Sequence, residues 1–370
     1  MSGKSVSTES FATTEARPRR GGKLRVAVIG CGGISETQIR SLQSLPDVEI
    51  IAAAEPDASR LKTVADKFNI SDRFSDWKSL LKSAGPDAVT ICTPNALHVQ
   101  PTVDCLNAGC HVMVEKPMAM TPAECKKMIA AAKRAGKKLA VGFQYRFHPS
   151  TEFLLRARDD GRFGKILFVK CQALRRRGIP NWGVFGQKHL QGGGPMIDIG
   201  VHVIEMAHYV MGSPTPIAAA ANTWTYLGNK KSTVASMWPN WDYKTYTVED
   251  LAIGQVRFDT GAIMQIEASF AAHIKEDVWN FTLVGEKGGC QWDPPQIFTD
   301  RAGAMINETP AYVGPRSDFA YLFDLKLRNW VDACLYNKPL RAPGEAGLAV
   351  QKILDGVYRS AAAGKEVPIK

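Results

Sequence analysis

The stretch Leu24-Arg25-Val26-Ala27-Val28-Ile29-Gly30-Cys31-Gly32-Gly33-Ile34-Ser35 leaves the chain few choices, because a short apolar run ends in closely spaced glycines and continues as a helical pattern. The run is a buried strand, and the glycines permit a tight turn that backbone or ligand can approach closely. The first amides of the following helix point outward at its positive dipole end, which suits an anion. In a strand–turn–helix context, that anion is the pyrophosphate of a dinucleotide. Gly30, Gly32, Gly33 and Ile34 are therefore candidate cofactor-binding residues. Ser35 takes the place of the motif's last glycine and is still small enough for the helix to pack on the strand.

A dinucleotide turn of this kind expects a carboxylate at the end of the second strand, about 20 residues on, to accept the ribose hydroxyls. Glu55, in Ala53-Ala54-Glu55-Pro56-Asp57, answers it. A carboxylate there repels a 2′-phosphate, so NAD is favoured over NADP; Arg60 softens the preference.

From Leu24 the chain alternates short apolar runs with amphipathic stretches, the pattern of a parallel sheet with crossover helices. Strands are expected at Leu24–Ile29, Val48–Ala54, Asp87–Cys92, Cys110–Val114 and Lys138–Phe143. Helices are expected near Leu61–Phe68, Val99–Asn107 and Pro122–Ala135. After Tyr145 the texture changes. A helix (Ser150–Asp160), a strand (Ile166–Ala173) and a helix from Pro195 to Met211 lead into β-rich stretches at Leu251–Phe258, Ala262–Phe270 and Trp279–Val284. Two helices, Phe319–Tyr336 and Glu345–Ala363, close the chain. With 370 residues, two domains are the natural division. The expected boundaries are a disordered tail over 1–22, a Rossmann domain over 23–146 and an α+β substrate and oligomerisation domain over 147–370.

The formal charge of +10 raises the question of nucleic acid. Most basic residues are interleaved with acids, as in Glu124-Cys125-Lys126-Lys127, and no nucleic-acid-binding signature surrounds them. No nucleic-acid partner is expected, no apolar run reaches membrane-spanning length, and no metal site is expected. The eight cysteines include no C-x-x-C pair and several sit in strand-like runs, so they read as buried thiols. The first 22 residues lack the apolar core of a secretory signal, and a cytoplasmic location is expected.

Four further segments make the pattern specific: Cys92-Thr93-Pro94-Asn95-Ala96-Leu97-His98, Val114-Glu115-Lys116-Pro117, Gly142-Phe143-Gln144-Tyr145-Arg146-Phe147 and Gly192-Gly193-Gly194-Pro195-Met196-Ile197-Asp198-Ile199-Gly200-Val201-His202. In this order they resemble the glucose-fructose oxidoreductase, inositol dehydrogenase and rhizopine-catabolism (Gfo/Idh/MocA) family, from about Leu24 to the C-terminus. The resemblance implies that Thr93, Pro94, Asn95 and His98 line the nicotinamide side of the cofactor, with Glu115, Lys116 and Gln144 also beside it. It implies too that Lys116 reaches the oxygen of the reacting carbon and that Asp198 and His202 are the family's helical aspartate and histidine. The second domain is then a large, open, mostly antiparallel sheet whose free face builds dimers or tetramers.

Hydride transfer is the cofactor's chemistry, so the protein must position a carbon and manage one proton. If Pro195 begins a helix, Asp198 and His202 lie four residues apart on one face. With an ordinary pKa near 6.5, His202 is suited to general base and acid. Lys116, starting near 10.4, would need a shift of roughly 3 units, about 4–5 kcal/mol, to act as a base at pH 7. It is assigned instead as the cation that holds and polarises the substrate oxygen, oriented by Asp198; Lys116 as proton carrier is the alternative. Further substrate contacts are expected from Tyr145, Arg175, Asn181, Trp182 and His189. Strand alternation would send Arg175 and Arg177 to one side, a pair suited to an anionic sugar.

The sequence thus points to a nicotinamide-dependent dehydrogenase acting on a secondary hydroxyl of a sugar, inositol or sugar derivative. Two alternatives stand beside it: a redox-neutral enzyme that oxidises the ring transiently with tightly held NAD, and a non-catalytic NAD-binding regulator.

Overall fold

Six strands, β1 (Leu24–Ile29), β2 (Val48–Ala54), β3 (Asp72–Phe74), β4 (Ala88–Ile91), β5 (His111–Val114) and β6 (Leu139–Val141), pair in parallel in the order β3-β2-β1-β4-β5-β6. They belong to a computed structural model that describes residues 22–236 and 238–370. The expected tail, except Gly22, lies outside the described residues. The crossovers are α1 (Gly33–Gln43), α2 (Ala58–Lys67), α3 (Trp77–Ala84), α4 (Val99–Asn107) and α5 (Pro122–Ala135). Their starts follow from local chemistry. Asp57 caps α2 and Asp76 caps α3, while Thr121 and Glu124 form a reciprocal capping box in front of Pro122. The order reverses between β1 and β4, and a doubly wound sheet binds its ligand at the carboxyl ends of the strands beside that reversal. Gly30 leaves β1 and Thr93 lies just past β4 at this point; Glu55, Lys116 and Gln144 follow β2, β5 and β6 along the same edge.

The second sheet contains nine strands: β7 (Ile166–Leu174), β8 (Pro216–Trp224), β9 (Leu251–Phe258), β10 (Ile263–Ser269), β11 (Val278–Gly285), β12 (Gly289–Gln291), β13 (Gln296–Arg301), β14 (Ala304–Glu308) and β15 (Val367–Pro368). Their order is β14-β13-β12-β11-β7-β10-β9-β8-β15, and every pair is antiparallel except β10 with β7. The open, mostly antiparallel sheet implied by the family resemblance is therefore present. β9 alternates buried and exposed residues along its length, so one sheet face is covered and the other is open.

Helices α6 (Pro149–Asp159), α7 (Lys188–Gln191), α8 (Val201–Val210), α9 (Phe319–Tyr336) and α10 (Gly344–Ala363) complete the chain. The helix expected from Pro195 begins as a π-turn over Met196–Gly200 and continues as α8. α9 crosses back to the first sheet. Its Leu327, Trp330, Val331 and Cys334 share a core with Leu24, Val26, Ala88 and Met113, so a C-terminal helix seals one face of the nucleotide-binding sheet. All eight cysteines are buried and none is in a disulfide. Among the described residues, no helix is long and apolar enough to cross a membrane.

Candidate active site

At Gly30 the backbone has φ +90°, and a Cβ there would stand 2.8 Å from the carbonyl carbon and oxygen of Cys92. Glycine is required because β1 and β4 approach each other at the point where the order reverses. Gly32 and Gly33 differ: a Cβ at either meets nothing within 4 Å. Gly32 precedes α1 without any side-chain cap, so the first amides of an eleven-residue helix face open space. Beside them is a cavity of about 410 Å³ bounded by Cys31, Gly33, Glu36, Asp57, Arg60 and Thr63. Two buried side-chain oxygens, Thr93 Oγ1 and Gln144 Oε1, have no hydrogen-bond partner. Open glycines, uncapped helix amides and orphaned polar atoms along one strand edge fit a dinucleotide.

The two glycine classes predict different losses. Gly30→Ala is expected to lower stability by at least about 2 kcal/mol through positive φ and backbone overlap. Gly32→Ala should leave stability within about 0.5 kcal/mol of wild type and weaken NAD binding at least about tenfold. Thermal unfolding and NAD titration of the two variants check this; equal loss of stability in both would contradict it.

Lys116, from the turn after β5, reaches into the second domain. Its Nζ donates to Asp198 Oδ1 at 3.0 Å and to the Asp198 carbonyl at 2.9 Å. Both side chains are largely buried, 17% and 15% exposed, so enough surface remains for a ligand to touch them. An ammonium has three N–H donors, and two are thereby used. The carbonyl of Asp198 is reachable because the residue sits in the π-turn. Glu249 holds that turn from beneath, accepting from the Gly194 and Met196 amides at 2.9 and 3.3 Å and from the Tyr358 hydroxyl at 2.7 Å.

His202 opens the next turn and is 8% exposed. Its ring packs edge-on to Tyr145 at 5.2 Å and against Trp279 at 5.9 Å between centroids. Burial holds its pKa well below the ordinary 6.5, and the charges of Lys116, Lys326 and Arg175 push the same way. The near-neutral pKa expected from sequence is thus replaced by an imidazole that stays uncharged well into the acid range.

Several expected ligand contacts are committed elsewhere. His98 is completely buried, and its Nδ1 and Nε2 lie 2.9 Å from the carbonyls of Pro117 and Thr93, which leaves neither nitrogen for a cofactor. It brackets the turns after β4 and β5 instead. Asn95 donates its side-chain amide to the Gln191 carbonyl at 2.9 Å, tying the two domains. Glu55 Oε2 accepts from the Cys31 amide at 2.9 Å, while Oε1 takes the Asp57 amide at 3.2 Å and lies 3.5 Å from Arg60. It braces the glycine turn.

The alternation expected at Arg175-Arg176-Arg177 fails because β7 ends at Leu174. Arg175 turns inward, lies 4.9 Å over Trp238 and 5.6 Å over Phe270, and has its pKa lowered by burial although Asp198 opposes the shift. Arg177 donates to the carbonyls of Arg176 and Ala272, so the expected arginine pair is absent. Asn181 bonds the Pro239 carbonyl and Trp182 meets Trp238 edge-on at 4.8 Å, which places their loop against residues 238–247. His189, on α7, is exposed.

Sequence reasoning missed Lys326, Gln38 and Trp279. A lysine and a glutamine on amphipathic helices read as solvated, and nothing in their spacing marks them as buried.

Behind Lys116 lies Glu115, whose Oε1 accepts from Gln38 at 2.5 Å and from the Lys326 ammonium at 2.9 Å. Burial pushes this carboxyl up, but Lys326, with help from Lys116, more than offsets it and holds the group below the usual carboxylate range.

Two sheets of these topologies, with a glycine turn at the reversal and a lysine bridging to the second domain, define a two-domain NAD-binding oxidoreductase. Residues 24–143 match the oxidoreductase family's NAD-binding Rossmann fold and residues 159–369 its C-terminal alpha/beta domain, so the chain belongs to the Gfo/Idh/MocA oxidoreductase family. It is 34% identical over 349 residues to the D-glucoside 3-dehydrogenase of Escherichia coli K12, covering 94% of this chain and 97% of that protein. It is 27% identical to inositol 2-dehydrogenase 2 of Saccharopolyspora erythraea, with 94% and 96% covered. A levoglucosan dehydrogenase solved with NADH has the same fold, with a TM-score of 0.82 at 24% identity over 94% of this chain and 99% of that one.

Proposed function

We propose that this protein oxidises a secondary hydroxyl of a glucoside or related sugar and releases NADH. The observation that carries the reading is the Lys116 ammonium crossing from the nucleotide-binding half to Asp198, beside an uncharged His202. The first relative described above, a D-glucoside 3-dehydrogenase, supports the substrate class.

NAD, when bound, supplies the two-electron acceptor. The α1 amides beside Gly32 and Gly33 take its pyrophosphate, Glu55 faces its ribose, and Thr93 and Gln144 offer their free oxygens. Lys116 directs its remaining N–H at the substrate oxygen and lowers the cost of charge developing there. Asp198 fixes the direction of that ammonium. His202 accepts the hydroxyl proton; its depressed pKa then makes it release that proton readily to solvent. Tyr145 and Trp279, both packed on His202, offer rings for the sugar to lie against.

Arg60 is paired with both Glu55 and Asp57, so its charge is spent within the protein and does not attract a 2′-phosphate. kcat/KM is therefore expected to be at least about tenfold higher with NAD than with NADP. The open face of the second sheet, with Ile253 exposed on β9, suits a second copy of this chain. Eight buried cysteines outside any disulfide suit a reducing compartment, and we place the protein in the cytoplasm.

The test is NADH formation by the purified chain across methyl glucosides, free aldoses, inositols and uronates. Stoichiometric accumulation with a glucoside is expected. Turnover without NADH release would establish the redox-neutral alternative, and saturable NAD binding without turnover on any sugar would leave only the regulator.

A further inference from the structure

Lys326 is 1% exposed on α9, and no step above uses it. A lysine on an amphipathic helix normally carries its charge to water. This one donates to Glu115 Oε1 at 2.9 Å, and its Nζ lies 3.7 Å from the Phe323 ring centre. Glu115 is fixed on every side. Gln38 donates to the same oxygen at 2.5 Å while accepting the Thr90 hydroxyl, and the Lys116 amide approaches Oε2 at 3.3 Å. Gly142 closes the remaining side, since a Cβ there would stand 2.7 Å from Oε2.

The arrangement matters for the neighbouring side chain. Asp198 holds the Lys116 ammonium at 3.0 Å, while the preceding Glu115, bonded by the Lys116 backbone amide, also feels the Lys116 charge; an unpaired buried carboxylate draws the nearest cation strongly. Lys326 cancels the Glu115 charge. The geometry points to Lys326 as a positioning residue: by satisfying Glu115 it keeps the Lys116 ammonium on Asp198, where the substrate oxygen is to be held. The inference rests on the role proposed for Lys116. It also gives α9 a function beyond covering the sheet, because a helix from the far end of the chain delivers the balancing charge to a site built on strand ends.

Lys326→Gln keeps a hydrogen-bond donor for Glu115 and removes the charge. Wild-type NAD binding and NADH formation are measured first, so failure of the functional reading shows itself as absent wild-type turnover. In Lys326→Gln, kcat is expected to fall at least about 20-fold, with the NAD Kd and sugar KM within about threefold of wild type. Adding Glu115→Gln removes the competing carboxylate and should restore kcat at least about fivefold over the single variant. A merely structural lysine would lower Tm and leave kcat alone. Wild-type kcat in folded Lys326→Gln, or no recovery in the double variant, overturns the inference. Should the single variant not fold, the double variant decides: turnover within about tenfold of wild type supports the role, and a folded but inactive protein removes it.

Discussion

Lys116→Ala is expected to lower kcat by at least about two orders of magnitude while changing the NAD Kd less than about threefold. Among the described residues the ammonium's ion pair is the one with Asp198 of the second domain, and two of its three N–H donors are used there, leaving one for a ligand. Its loss therefore removes charge stabilisation that is needed mainly as the substrate oxygen becomes negative, and such an interaction appears in kcat more than in KM. Removal also leaves Asp198 without its ion-pair partner, but 15% of that largely buried side chain still meets water, so it can be solvated and the fold should survive. Steady-state kinetics with NAD titration settle the point. A variant with unchanged kcat and raised sugar KM would mean that Lys116 binds the ground state only.

His202→Ala carries the second large effect, a fall in kcat/KM of at least about two orders of magnitude at pH 7. Its pH signature is distinctive. Burial first, then the charges of Lys116, Lys326 and Arg175, depress the imidazole pKa, so the proton-accepting form persists below pH 6.5. A base acts when deprotonated; depression therefore moves the acid limb of wild-type kcat/KM below 6.5, where an ordinary histidine would already have lost half its activity. The neighbours on its ring faces, Tyr145 and Trp279, are uncharged and add no opposing pull. A wild-type profile that drops with a midpoint at or above 6.5, or near-normal turnover in His202→Ala, would transfer the proton to Lys116.

The first half of the fold was legible because its signals are local. β1 and β2 run over the expected residues, as do α4 and α5, since buried parallel strands are continuous apolar runs and helix starts carry caps. β8 escaped notice for the opposite reason. Pro216-Ile217-Ala218-Ala219-Ala220-Ala221 has little strand propensity, and the alanines are there for packing: Gly356 of α10 approaches so closely that a Cβ on it would lie 3.2 Å from Ala219 Cβ. Of the short strands β12 to β15, the first three pair with chain neighbours through tight turns, while β15 forms only by pairing with the distant β8.

At the site, motif order located Lys116, Asp198 and His202, but their surroundings depend on tertiary packing. Nothing local says that His98 is walled in by two carbonyls or that Arg177 turns back to Ala272. Depression of the His202 pKa needs Lys326, which stands 124 residues later in the chain, and no periodicity foretells that.

A crystal structure of the wild-type chain with NAD and a glucoside tests the central proposition most directly. The pyrophosphate should lie on the Gly32 and Gly33 amides, with a sugar hydroxyl held between Lys116 Nζ and the His202 ring. Pyrophosphate bound away from that turn, or a sugar that touches neither side chain, would contradict it.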